Sequence, residues 1–165
     1  MHSNHESAPS ALSWRIKEQP GFTTVEFMGE VDEKSDFADL RSRLKGHVAF
    51  HLAGVRRVNS FGAREWVDFV RHLPGVTELT FTHCSPAIVA QLNMIYGFRG
   101  KARVRSLFAP YACSRCEREE ERLFHPDIDV RRSDFTHMPT IDCVCGGRLE
   151  FDDVVERYLG FLREP

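Results

Sequence analysis

"HVAFHLAGVRRVNSFGAREWVDFV", residues 47–70, is the stretch whose reading decides the fold. Residues 47–55 are short, rich in apolar side chains and flanked by glycine, which predicts a strand buried in a sheet. Further on the apolar spacing changes. Ala63, Trp66, Val67, Val70 and Leu73 follow the three-four rhythm of a helix core face, predicting a helix over about 61–73 that stops at Pro74-Gly75. Ser60 and Gly62 sit at the seam between the two. A serine there can cap the helix, act as a nucleophile, or serve as a switch that takes a charge. No activating base or phosphate-cradling loop accompanies it, which sets the nucleophile reading aside. As a cap, its hydroxyl accepts a backbone N–H, worth about 1 kcal/mol. As a switch, a phosphate of about -1.5 to -2 charge would meet the positive helix end. Arg64, with Arg56 or Arg57, would add charge-assisted bonds.

Working outward, "TTVEFMGEV" (23–31) puts Val25, Phe27 and Gly29 on one side and Thr24, Glu26 and Met28 on the other. It predicts a strand beside an earlier one near 13–17, joined across Pro20-Gly21. Phe37, Leu40 and Leu44 then share one helical face, with Ser35 as N-cap and Gly46 after the end. "VTELTF" (76–81) alternates as a strand, and "SPAIVAQLNMI" opens a helix with Ser85 as N-cap and Pro86 at its first position. "ARVRSLF" (102–108) reads as the last strand of this part. The order β-β-α-β-α-β-α-β over residues 12–109 predicts an α/β domain with a mixed, mostly parallel sheet and helices packed against it. Residues 1–11 read as a mobile polar tail. Residues 110–165 form a separate segment with few strand signals. It closes in "DDVVERYLGFL", where Val155, Tyr158, Leu159 and Leu162 make a helical stripe with Asp152 as its cap.

Charge divides the chain in the same way. Residues 1–112 carry 14 Lys+Arg against 11 Asp+Glu, and residues 113–165 carry 8 against 13, within a net charge of -2. A net acidic tail and a near-neutral whole give no case for nucleic acid or an anionic membrane as partner. No apolar run approaches the roughly 20 residues of a membrane span, and the opening residues have no secretory-signal pattern. The odd count of five cysteines, four of them late, argues for a reducing, cytoplasmic setting and a metal site rather than disulfides.

Those four cysteines form C-x2-C at Cys113 and Cys116 and C-x-C at Cys143 and Cys145, followed by Gly146-Gly147. Two short pairs that far apart look like a zinc ribbon, each pair supplying one knuckle of a tetrahedral four-thiolate site for one structural zinc ion. The second pair is one residue shorter than the usual knuckle. Unligated reduced cysteines are the plain alternative, and His125, His137 or, more weakly, Asp142 stand as substitutes for a badly placed thiolate. Cys84, beside His83, reads as a buried structural thiol, because sequence neighbours rarely face each other as nucleophile and base.

"GEVD" (29–32) at a strand end, then helix, buried strand and "VNSFG" (58–62), resembles the STAS domain of anti-sigma-factor antagonists and sulfate-transporter tails. The resemblance covers residues 12–109. It implies a protein-binding switch rather than an enzyme, with Ser60 as phosphoacceptor. It also implies a contact surface of Asp32, Asn59, Phe61, Gly62, Arg64 and Phe69, and an anti-sigma factor or serine kinase of that type as partner. Asn59 stands where the family has Asp, and Phe61 where it has a small residue. Those departures favour the alternative, a phosphorylation-independent scaffold that self-associates or docks into a larger signalling assembly.

Overall fold

The computed structural model describes residues 10–129 and 137–163. Strands β1 (Ser13–Gln19) and β2 (Phe22–Val31) form an antiparallel hairpin turned at Gly21, whose φ of 76° suits a residue without Cβ. Helix α1 (Ala38–Arg43), β3 (Gly46–Val58), α2 (Ser60–Arg71), β4 (Val76–Thr82), α3 (Pro86–Met94) and the short β5 (Arg103–Val104) follow. The strands lie in the order β1-β2-β3-β4-β5, and every pair beyond the first hairpin is parallel. The predicted α/β class with a mixed, mostly parallel sheet is therefore observed.

Consecutive strands laid side by side, joined by right-handed crossovers, place their helices on one face of the sheet. Side-chain burial agrees. Val25, Phe27 and Val31 are buried while Glu26 and Met28 are not, and Glu26 instead pairs with Lys17 at 2.6 Å. The covered face is aromatic. Phe50 of β3 stands in register with Val25 and Phe81 on its two neighbours. Its ring lies 5.0 Å from Phe27, 5.8 Å from Phe81, 5.7 Å from Phe69 and 5.9 Å from Trp66. Trp66 is fully buried, and its indole N–H donates to the Phe98 carbonyl at 3.1 Å, so the one polar atom of that ring is satisfied.

Helix α3 begins as expected, with Ser85 Oγ accepting from the Ile88 N–H and Pro86 in the first turn. Helix α1 does not. Ser35 Oγ accepts from the Asp32 backbone N–H instead, the Asp36 carboxylate takes the Ala38 N–H, and the helix is short. A serine and an aspartate one residue apart compete for the same turn, and local side-chain bonding decides where the helix starts.

The expected strand 102–108 is divided. Ser106 Oγ accepts from the His83 N–H and its carbonyl from the Cys84 N–H, which redirects the chain after β5. β6 (Leu107–Cys113) then opens a second, antiparallel sheet with β7 (Glu119–Phe124), β8 (Ile141–Asp142) and β9 (Arg148–Phe151), in the order β7-β6-β9-β8. Position 109, expected to end the first part, thus falls inside a strand of the second sheet. β7 lacked a strand signal because it is an edge strand, "EEERLF", dominated by charge; Glu120 there pairs with Arg118 and Arg122. A one-turn helix α4 (Pro126–Asp129) follows β7.

The terminal helix is also shorter than its stripe suggests: α5 (Val155–Tyr158), then a 3-10 turn, Gly160–Arg163. Val154 occupies the N-cap position without a side-chain bond, so Asp152 is not the cap. Tyr158, Leu159 and Phe161 are buried against the rest of the molecule. Asn93 of α3 fastens this end, donating to the Tyr158 carbonyl at 2.8 Å and accepting the Phe161 N–H at 2.9 Å. No helix among the described residues is long and apolar enough to cross a membrane.

Candidate functional site

Two features predicted from sequence stand at opposite places in the chain: the seam around Ser60 and the four-cysteine cluster. At the seam, β2 and β3 end side by side, and the Asn59 N–H donates to the Val31 carbonyl at 3.0 Å. This brings Asp32, which follows β2, next to the start of α2. The cap of α2 is Asn59, not Ser60: Asn59 Oδ1 accepts the Gly62 N–H at 2.8 Å. Asparagine ranks with serine at N-caps, and its longer side chain reaches the third N–H from one residue earlier. Ser60 is thereby released to the first helical position, exposed, and its hydroxyl makes no hydrogen bond among the described residues.

Around it, Asp32 Oδ1 accepts from the Lys34 N–H. Glu33 accepts from the Asn59 side-chain amide at 2.8 Å, and its carboxyl lies below the usual range because its own backbone N–H and that amide favour the charged form. Arg64 is exposed one turn along, whereas Arg56 is bonded to Ser10 Oγ. Phe61 is 66% exposed, an isolated apolar side chain beside Ser60. The expectation for Phe69 is overturned. It is 0% exposed and stacks on Phe37 at 4.5 Å, because it falls on the core face of α2 and cannot touch a partner.

Gly62 is buried and serves close approach. A Cβ there would stand 2.3 Å from the Val31 carbonyl carbon and oxygen and 2.5 Å from the Asp32 nitrogen, all backbone atoms that cannot swing aside. Gly62→Ala is expected to push α2 off the end of β2 and to lower stability by about 2–3 kcal/mol, a fall in Tm of roughly 5–10 °C. Thermal melting followed by circular dichroism reads this; a Tm within a degree of the parent would show that the contact yields freely.

The four cysteines converge. Their Sγ atoms all lie within 4.8 Å of one another, with Cys113 and Cys145 at 3.6 Å and Cys116 and Cys143 at 3.7 Å. Tetrahedral metal–thiolate bonds of about 2.3 Å require edges of about 3.8 Å, so the cluster matches the size of a single-ion site. Two hairpin turns position it. In the first, the Glu117 N–H donates to the Cys113 carbonyl and the Cys113 N–H to the Arg118 carbonyl, with Glu117 held at a φ of 59°. In the second, the Gly146 N–H reaches the Cys143 carbonyl and the Cys143 N–H the Gly147 carbonyl. Gly147 sends its N–H to Cys145 Sγ at 3.3 Å, and a Cβ on it would press on Cys113 Sγ and Cys145 Sγ at 3.1 and 3.2 Å. The Gly-Gly pair therefore compensates for the missing residue of C-x-C.

Backbone N–H groups of Cys116 and Arg115 pull the Cys113 thiol down to about 6. The Arg118 N–H also favours the Cys116 thiolate, but Cys145, burial, Cys143 and Cys113 outweigh it and push Cys116 up to about 12. Four sulfurs this close do not all ionise at neutral pH unless a cation holds them, so loading a metal releases protons. His125, His137 and Asp142 are not members of the cluster. Cys84 is buried, and burial raises its thiol well above the ordinary value, the state of an inert structural cysteine.

No protein-family model matches this chain, and no match is found among curated proteins. Its functional reading therefore rests on its own residues. The cap role of Asn59 was within reach of the sequence, since Asn is a preferred cap type. The Glu33–Asn59 bond was not, because it joins residues 26 positions apart.

Proposed function

We propose that this chain is a non-enzymatic, cytoplasmic regulatory module of the STAS type, acting like an anti-sigma-factor antagonist, with a zinc ribbon as its C-terminal part. What carries the reading is the exposed hydroxyl of Ser60 at the first turn of α2, unbonded among the described residues, with Asp32 beside it and Phe61 projecting to solvent. A protein partner, an anti-sigma factor or a serine kinase of that kind, rests on this end and covers Phe61. Phosphate on Ser60 adds about -1.5 to -2 charge where the partner's apolar patch must sit, and the complex separates. Four thiolates in a tetrahedron select zinc among the common divalent ions, since zinc accepts sulfur and has no preference against that geometry.

One observation favours the second reading. Glu33 already holds a negative charge on Asn59, the residue before Ser60, which opposes a phosphate there. On that reading the same surface binds constitutively, as a scaffold. A photo-crosslinking residue in place of Phe61, in the native host, separates the two. The switch predicts that Ser60→Ala retains the crosslinked partner and Ser60→Asp loses it by at least about tenfold, on the order of 1.4 kcal/mol. Equal capture by the parent, Ser60→Ala and Ser60→Asp would remove the switch and leave the scaffold.

A further inference from the structure

α3 (Pro86–Met94) has no charged residue, although one side of it faces solvent. The polar side chain on that side, Asn93, is spent on the Tyr158 carbonyl and the Phe161 N–H, so what the helix offers outward is apolar, and an exposed apolar helix face marks a surface that something covers. Ile88, Val89 and Leu92 are buried where α3 packs on β3, β6 and the terminal turns, which leaves one side outward. On that side, Ala90 is exposed and Met94 is 68% exposed. This outer side forms one wall of a groove of about 480 Å³, whose opposite wall is Pro110, Asp152, Asp153 and Tyr158. Val154, 53% exposed, stands beside that wall.

The rim is acidic. Pro110 is in register with Glu121, and Ala112 with Glu119 and Glu150, so these carboxylates share one face of the second sheet. Asp152, two residues beyond Glu150, continues that face to the groove itself. Glu119, Glu121, Glu150 and Asp152 form no ion pair with the described residues. Arg157, the cation in the lining, is neutralised by Asp153 at 2.5 Å. An apolar floor bordered by such carboxylates is complementary to one class of ligand: an apolar stripe flanked by lysine or arginine.

We propose that α3 and the acidic face of the second sheet form a docking groove for a basic amphipathic helix of a partner protein. Its apolar side packs on Met94, Ala90, Pro110 and Val154, and its basic flanks meet Asp152, Glu121 and Glu150. This site involves neither Ser60 nor Phe61 and stands or falls independently of the reading of that surface. An anionic lipid surface is repelled by the same carboxylates.

The test uses the full-length, metal-loaded chain and a fluorescent 18-residue helical peptide of leucine and lysine at helical spacing, with a leucine–glutamate peptide as control. Fluorescence anisotropy is expected to give micromolar binding of the basic peptide, at least tenfold weaker binding of the acidic one, and weakening as salt rises. Met94→Lys, at an exposed position that folding does not need, is expected to weaken the basic peptide at least tenfold. Glu150→Lys should weaken it severalfold, whereas Glu18→Lys, the same change of charge on β1, should leave it unaltered. Amide shifts in an ¹⁵N spectrum should cluster at 86–94 and 149–158. The proposal is overturned if Glu18→Lys costs as much as Glu150→Lys, if Met94→Lys is silent, or if the shifts gather at 59–64. It is also overturned if the chain dimerises at micromolar concentration and Met94→Lys abolishes the dimer, since a second copy would then own the groove.

Discussion

Stripping the metal from the four-cysteine centre is expected to unfold the second sheet while leaving the first in place. The chain purified without a histidine tag should carry about one equivalent of zinc, and a strong chelator should remove it. Hydrogen exchange followed by mass spectrometry should then show protection lost in 113–124 and 141–151, with 22–58 still protected. β6 is anchored in the core by Leu107, Ala109 and Tyr111 and by the Phe108 N–H on the Cys84 carbonyl, whereas little apart from the metal holds β7, β8 and β9. β8 has two residues, β9 has four, and β7 is a charged edge with Phe124 as its one buried residue. Structural zinc supplies an apparent 10–16 kcal/mol in comparable small folds at neutral pH, on the order of a whole domain's stability. Cys143→Ser should reproduce the chelated state, because it removes one corner of a tetrahedron whose other atoms stay packed at sulfur-contact distance. Less than about half an equivalent of zinc, or an exchange pattern indifferent to chelation, would leave the cysteines as a reduced, unligated cluster.

The second large effect belongs to Trp66. Trp66→Ala is expected to cost about 3–5 kcal/mol, since it empties the centre of an aromatic cluster that includes Phe27, Phe37, Phe50, Phe69, Phe81 and Phe98. It should lower Tm by roughly 10–15 °C. Trp66→Phe isolates the polar part of that cost. It keeps most of the ring volume but removes the N–H that serves the Phe98 carbonyl, leaving a buried acceptor unpaired at about 1–3 kcal/mol. Urea titrations of the metal-loaded protein measure both. A Trp66→Phe variant as stable as the parent would mean that water reaches the Phe98 carbonyl.

The two cap positions show how far local sequence carries. Ser85 before Pro86 was readable, because cap and first-turn proline are neighbours and nothing else competes for the Ile88 N–H. Of the roles open to Ser60 the cap falls to Asn59, which beside it is equally able and whose oxygen reaches Gly62. The shift of one residue turns Ser60 from a structural acceptor into an exposed hydroxyl. Phe69 was misassigned for a related reason. Its three-residue offset from Trp66 was visible, but which part of the apolar stripe faces Phe37 and Phe50 depends on the rotation of α2 over the sheet.

Sequence by itself determined the order of strands and helices in the first 100 residues, since apolar periods of two and of three to four are local properties of the chain. It also determined which four cysteines belong together, because thiolate pairs at short spacing have one common geometry. Tertiary structure alone decided the rest. The division of 102–108 between two sheets follows from hydrogen bonds that Ser106 makes to residues more than 20 positions earlier. The closeness of the sulfurs comes from two hairpin turns brought together by β6 and β9. The acidic face that borders α3 exists only because antiparallel register stands Glu119, Glu121 and Glu150 on one side of the sheet. Each of these is a meeting of residues far apart in the chain, which pattern along the sequence does not encode.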